Sequence, residues 1–173
     1  TVLDDGRVLI VGGNSWGTAV EKAEIYDPST GTVTPVGELS VPRSDHTATR
    51  LPDGRVLVAG GSSGGHYTSA LATAEIFDPA TSEFSPAGEM TSARQGATAT
   101  LLPDGRVLVA GGYDAGGVAA SSVDLFDPSL DAFAPGPASM GAGRANHTAT
   151  VLADGRILLV GGHSAFPGPS LQS

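Results

Sequence analysis

Short apolar runs return at a near-constant interval along this chain of 173 residues. They are Val8–Val11, Val56–Ala59, Val107–Ala110 and Ile157–Val160, each preceded by Asp-Gly-Arg and followed by Gly-Gly. The first glycine of each pair stands at 12, 60, 111 and 161, which gives steps of 48, 51 and 50. A fixed period of that size marks one supersecondary unit repeated along the chain. The runs are continuous, β-branched and too short for helices, so they predict strands buried on both faces. Asp-Gly ahead of each run predicts a hairpin, because glycine tolerates the positive φ of a tight turn. The antiparallel partners therefore lie around 47–51, 98–102 and 148–152. The Gly-Gly pair implies either unusual backbone dihedrals or a neighbouring segment too close for a Cβ.

The pattern continues beyond each run. Glu24-Ile25-Tyr26-Asp27-Pro28 returns as Glu75-Ile76-Phe77-Asp78-Pro79 and Asp124-Leu125-Phe126-Asp127-Pro128, and predicts a third strand closed by an Asp-Pro turn. A short fourth strand follows, and its prolines Pro35, Pro86 and Pro135 place it at a sheet edge. Each repeat is then a four-stranded antiparallel sheet. Such sheets cover both faces by stacking radially on copies of themselves, which predicts an all-β chain forming part of a propeller. The innermost strands, 46–51, 96–102 and 147–152, are expected to line its channel.

These residues resemble the kelch-repeat family. The Gly-Gly doublets, the aromatic-Asp-Pro element (Tyr26, Phe77, Phe126) and an apolar residue six positions after each of those Asp (Val33, Phe84, Phe133) carry the likeness. The family usually has tryptophan at that last position, so Val33 predicts a looser first blade. The resemblance implies about three and a half blades, with repeats at 1–44, 45–95, 96–145 and a partial one at 146–173. It spans nearly the whole chain and is specific for fold, whereas propellers carry many functions. Copper-radical oxidases related to galactose oxidase also use kelch-like propellers, but their cofactor needs a cysteine cross-linked to tyrosine, and this sequence has no cysteine. No catalytic residues, metal ligands or cofactor are assigned. Enzymatic activity stays an open alternative, with catalytic residues outside this span. The chain starts and stops within blades, so it reads as a segment of a longer propeller or as a protomer that assembles through open edges.

Charge narrows the partners. The net charge is −9, with seven of 18 acidic residues in repeated turns and one lysine, Lys22. Without a basic patch, nucleic acid is not an expected partner, and no apolar run is long enough for membrane insertion as a helix. The alanine-, glycine- and arginine-rich composition suggests a bacterial source, and the acidic, aromatic-poor chain suits an extracellular or cell-surface setting.

The loops sort onto two ends. Asp-Gly hairpins and Asp-Pro turns share one end and barely vary. The loops after Gly-Gly vary in every repeat, and binding in repeat proteins usually uses the varying face. A protein or glycan partner is expected there, met by Trp16, His66, Tyr67, Tyr113, Asp114 and His163. Arg43, Arg94 and Arg144 sit at that end too. They read either as a guanidinium ring able to fork onto a carboxylate or sugar hydroxyl, or as pairs with a neighbouring blade's acid or carbonyl. His46 and His147 occupy equivalent positions with no close metal-ligand spacing, so they read as structural or exposed. Glu24 and Glu75 read as blade surface.

Overall fold

The computed structural model describes residues 1–64 and 69–165. Among them there is no helix, and the strands are β1 (Val8–Val11), β2 (Asn14–Ser15), β3 (Thr18–Ala19), β4 (Ala23–Asp27), β5 (Thr32–Pro35), β6 (Thr47–Arg50), β7 (Val56–Ala59), β8 (Thr73–Asp78), β9 (Glu83–Glu89), β10 (Thr98–Leu101), β11 (Val107–Ala110), β12 (Val123–Asp127), β13 (Ala132–Pro135), β14 (Thr148–Val151) and β15 (Ile157–Val160). Two sheets are complete four-stranded meanders, β6-β7-β8-β9 and β10-β11-β12-β13. Before them comes β1-β4-β5, with Val2 bridging to Val8 on the inner side, and after them β14-β15. Strand β10 lies beside both β6 and β14, so the first strands of successive sheets are neighbours, as in the inner wall of a propeller.

Each local signal has a physical cause. In the second sheet the Gly54 N–H donates to the Leu51 carbonyl, and Gly54 then takes φ 88°. The Asp53 carboxylate accepts both the backbone N–H and the Nε of Arg55, at 3.1 and 2.8 Å. This repeats at Asp5, Asp104 and Asp154. At the Asp-Pro turns, Asp27, Asp78 and Asp127 accept the backbone N–H two residues on. The prolines Pro35, Pro86 and Pro135 all fall on the outermost strands.

Packing is between sheets. Val56 and Val58 pack with Leu3, Leu9, Ala23, Ile25 and Leu39 of the first sheet and its following link. Leu57 and Ala59 point the other way, against Val107, Val109 and Phe126 of the third. Strand β7 is therefore buried on both faces at all four positions. Cross-strand partners Phe77 and Phe84 have ring centroids 5.0 Å apart, and Phe126 and Phe133 4.9 Å. Such tilted pairs add about 0.5–1.5 kcal/mol beyond area burial. In the first sheet Tyr26 lies opposite Val33, and both are exposed.

The Gly-Gly pairs meet both reasons for glycine at once. Both residues of every pair have positive φ. A Cβ on Gly60 would lie 2.6 Å from the Arg94 carbonyl oxygen, and one on Gly12 2.5 Å from that of Arg43. A Cβ on Gly111 would collide with the Arg144 carbonyl oxygen. The second glycine donates its N–H to the same carbonyl, as in Gly61 to Arg94 at 2.9 Å and Gly112 to Arg144 at 2.9 Å. The link to the next sheet thus lies directly on the glycine backbone.

This separates two kinds of glycine. Gly111 (φ 64°) and Gly117 (φ 74°) carry similar dihedral strain for any other residue, but a Cβ on Gly117 meets nothing within 4 Å. We expect Gly117→Ala to cost about 1–2 kcal/mol, the left-handed penalty alone. Gly111→Ala is expected to cost at least about 2 kcal/mol more, because a backbone oxygen must move. Denaturant unfolding of the two variants checks this, and equal losses would contradict it.

Candidate functional site

The link segments organise the loop end of the molecule. Ser40 and Arg43 lie between β5 and β6, and Thr91 and Arg94 between β9 and β10. Arg43 is fully buried. Its Nη1 donates to the carbonyls of Gly60 and Thr73 at 2.9 and 3.0 Å, and its Nη2 to Glu75 Oε1 at 2.7 Å. The other Glu75 oxygen accepts the Ser40 N–H at 2.8 Å. Arg94 repeats the arrangement on Gly111, Ser122 and Asp124, with Asp124 Oδ2 at 2.6 Å and the Thr91 N–H on Asp124 Oδ1. Burial pushes the Arg94 guanidinium's hold on its proton down, and Asp124 pulls it back up. Arg144 donates to the Gly161 carbonyl at 2.9 Å.

One open choice is resolved here and one expectation is corrected. Arg43 and Arg94 do not stand open as a ligand ring, because carbonyls and a carboxylate already hold their guanidinium ends. Glu75 is not blade surface but 3% exposed and paired to Arg43, while Glu24, at the same register, is exposed. A buried carboxylate needs such a partner, since an isolated charge is strongly disfavoured away from water.

His46 packs where the glycines leave room: a Cβ on Gly12 would lie 2.9 Å from its ring and one on Gly61 2.9 Å from its Cβ. His147 does the same between Gly111 and Gly162, and its Nε2 is 3.0 Å from the Thr98 hydroxyl. Both are spacers between sheets. Trp16 is wholly exposed at the tip of the β2–β3 hairpin, with φ 54°, followed by Gly17 at 87°. The Asn14 side chain accepts the Gly17 N–H and holds this two-residue turn. Asp114 is exposed and accepts the N–H groups of Gly116 and Val118, so it shapes its own loop. Tyr113 is buried in a cluster with Ala119 and Ala145 and bridges Gln95 on one side and Ala119 on the other. His163 bridges Ala145. His66 and Tyr67 lie outside the described residues.

A rim joins these positions. Ser44 pairs with Ser62, Gln95 with Tyr113 and Ala145 with His163, one bridge per repeat with different side chains each time. The next residues, Asp45, Gly96 and Asn146, all take positive φ. The Gly96 N–H donates to the Asp45 carbonyl at 2.9 Å, and the Asn146 N–H to the Gly96 carbonyl at 2.8 Å. Backbone thus runs from sheet to sheet around the mouth. Between them opens a cavity of about 80 Å³ lined by Asp45, Gln95, Gly96, Tyr113 and Asn146. Gln95 is 3% exposed, and its Nε2 has no hydrogen-bond partner. Sequence reasoning passed over Asp45, Gln95 and Asn146. Their signal was the run Asp, Gly, Asn at one repeat position, the residue types that most readily adopt a left-handed backbone.

Other features carry less chemistry. A concavity of about 540 Å³ opens at the opposite end among Asp53, Asp104 and Asp127, whose oxygens are bonded to Arg55, Arg106 and Ser129. One Gly-x-Ser-x-Gly string is present, from Gly60 to Gly64. It is not a nucleophile elbow: Ser62 is buried, its hydroxyl donates to the Gly64 carbonyl, and no helix follows it among the described residues. Among the described residues, no three His, Asp or Glu side chains are placed to hold a metal ion, and no helix is long and apolar enough to cross a membrane.

Burial and the Arg43 charge push His46 down to about 4 from its ordinary 6.5. Between these values the unfolded chain binds a proton that the folded chain refuses. Stability must therefore fall as pH drops from about 7 towards 4, by on the order of 2–3 kcal/mol from this residue. Unfolding curves at pH 7 and pH 5 should show that loss. His46→Gln should show a shallower pH dependence than the parent protein, and identical slopes would contradict the assignment.

Comparison with known proteins agrees with the geometry. A search of curated proteins by sequence similarity returned no match. The model of the Kelch motif matches residues 1–40 and 42–91, over half the chain, with each match spanning roughly one repeat. The stacked meanders, the Gly-Gly pairs bearing on the next link, and this match together establish that the chain belongs to the Kelch-motif family, as part of an all-β propeller.

Proposed function

We propose that this propeller segment is a non-catalytic binding module, and that it holds a protein partner on the face carrying the loops after Gly-Gly. Its working units are the blade repeats 1–44, 45–95, 96–145 and the partial repeat from 146. Kelch repeats generally mediate protein interactions. The observation that carries the reading is the unpartnered Gln95 amide at the 80 Å³ cavity between Asp45 and Asn146. A buried amide donor without a partner costs about 1–3 kcal/mol, which a ligand acceptor would recover. The cavity accommodates one functional group, such as a side-chain carboxamide that accepts from Gln95 and donates to Asp45.

Trp16 supports a macromolecular partner. A tryptophan held at positive φ is strained, and such strain gathers at functional positions. Its ring is entirely exposed on a turn fixed by Asn14. Exposed tryptophans are the residues most enriched among energetic anchors of protein interfaces.

Peptide-library selection against the whole chain, with a glycan array in parallel, tests this reading. Selected peptides are expected to lose at least about tenfold in affinity with Trp16→Ala or Gln95→Leu, the loss of one anchor. They should be unaffected by Leu130→Ala, which alters an exposed apolar residue at the opposite end. Ligands found only among glycans, or peptides sensitive to Leu130 and not to Trp16 or Gln95, would overturn it.

A further inference from the structure

The sheets also meet at the end carrying the Asp-Gly and Asp-Pro turns, and two successive joints differ there. Arg55 of the second sheet donates its Nε to Asp53. Its Nη1 and Nη2 fork onto the Asp131 carboxylate of the third sheet at 2.9 and 3.0 Å, and Nη2 also reaches the Pro128 carbonyl at 3.1 Å. Arg7 is the counterpart in the first sheet, and its Nε donates to Asp5 at 2.7 Å in the same way. The residue four positions after the turn aspartate is Asp131 in the third sheet but Ser82 in the second. Both take positive φ, 47° and 61°. The preceding sheet lies against both in turn: the Gly37 N–H donates to the Ser82 carbonyl at 2.9 Å, and a Cβ on Gly88 would stand 3.6 Å from the Asp131 carbonyl oxygen. The two turns are placed alike, but serine brings no carboxylate. Among the described residues nothing accepts from the Arg7 Nη nitrogens. A cavity of about 200 Å³ lined by Arg7 and Ser82 opens at this joint.

We infer that this cavity binds a small hydroxycarboxylic acid, whose carboxylate forks onto Arg7 in the seat that Asp131 fills at the neighbouring joint. The free end of a planar guanidinium matches a carboxylate in two parallel hydrogen bonds, and such charge-assisted pairs are the strong ones. Thr32, Thr34 and Ser82 line the rest of the cavity. Their hydroxyls both donate and accept, so they suit hydroxyl groups on the ligand. Ile25 and Val36 supply a short apolar wall. The volume is below the roughly 300–1,000 Å³ of pockets for drug-sized ligands, which selects a small molecule. The acids nearby do not forbid a further carboxylate. Asp27, which also lines the cavity, has its Oδ1 bonded to the N–H and hydroxyl of Ser29. Arg55 shares its own surroundings with Asp53 and Asp78 and still holds Asp131. The site lies at the end opposite Gln95 and Trp16, so it stands or falls separately from the loop face.

The test titrates the full chain, labelled with ¹⁵N-arginine, with D-glycerate and follows the guanidinium signals by nuclear magnetic resonance. We expect a saturable shift of the Arg7 signals and none of the Arg55 signals. Propionate, which lacks the hydroxyls, and glycerol, which lacks the carboxylate, should each bind at least about tenfold more weakly. Ser82→Asp builds a carboxylate into the seat, as Asp131 does, and should abolish D-glycerate binding. Arg7→Gln should abolish it as well, read from the backbone amide signals of Thr32, Thr34 and Ser82. Absence of a saturable shift, D-glycerate binding no tighter than propionate, or binding that survives either substitution would each overturn the inference.

Discussion

The structure depends on a bracket at each joint between sheets. The link arginine gives its carbonyl to the glycine pair of the sheet before it and its guanidinium to the sheet after it. Arg43 does this between the first and second sheets and Arg94 between the second and third. Stacked β-sheets share no continuous hydrogen-bond ladder, and apolar packing between them is non-directional. The bracket supplies direction. A planar guanidinium with five fixed donors, set among two carbonyls and a carboxylate, accepts few relative placements of the two sheets. Glycine is required opposite it because the carbonyl approaches closer than a Cβ allows.

From this joint the functional end follows. Once the link is fixed, the residues after each arginine are turned into the left-handed region and bonded in series around the mouth. Their neighbours Ser44, Gln95 and Ala145 then face the first residues of the loops. A constant frame thus presents a different side-chain pair in each repeat. The bracket occupies Arg43 and Arg94, so the proposed recognition rests on what varies around them: the Gln95 amide, Asp45, Asn146 and the projecting Trp16.

Much of the fold was legible because it is local. Asp-Gly, Asp-Pro and Gly-Gly each act within a few residues, and the phenylalanine pairs sit across one strand ladder. The prolines marked outer strands through a missing N–H. The site was less legible because its causes are not local. The choice between a ligand ring and a structural pair for Arg43 turned on Glu75, 32 residues away and on the alternate face of a strand that looked exposed. Trp16 at positive φ contradicts its own preference, so only the hairpin geometry around Asn14 reveals it. No local motif marks Gln95, and its orphaned amide appears only in the buried packing of the rim.

The central claim is that the buried arginine–acid pair couples successive sheets, and a double-mutant cycle on Arg94 and Asp124 tests it most directly. Arg94→Met, Asp124→Leu and the double variant would be compared by denaturant unfolding of the full chain. Removing one partner strands a buried charge, so each single change should cost about 3–5 kcal/mol. The double variant should lose at least about 2 kcal/mol less than the sum of the singles. Single losses below about 1 kcal/mol, as for an exposed pair, or strictly additive losses, would show that the sheets are held together without the bracket.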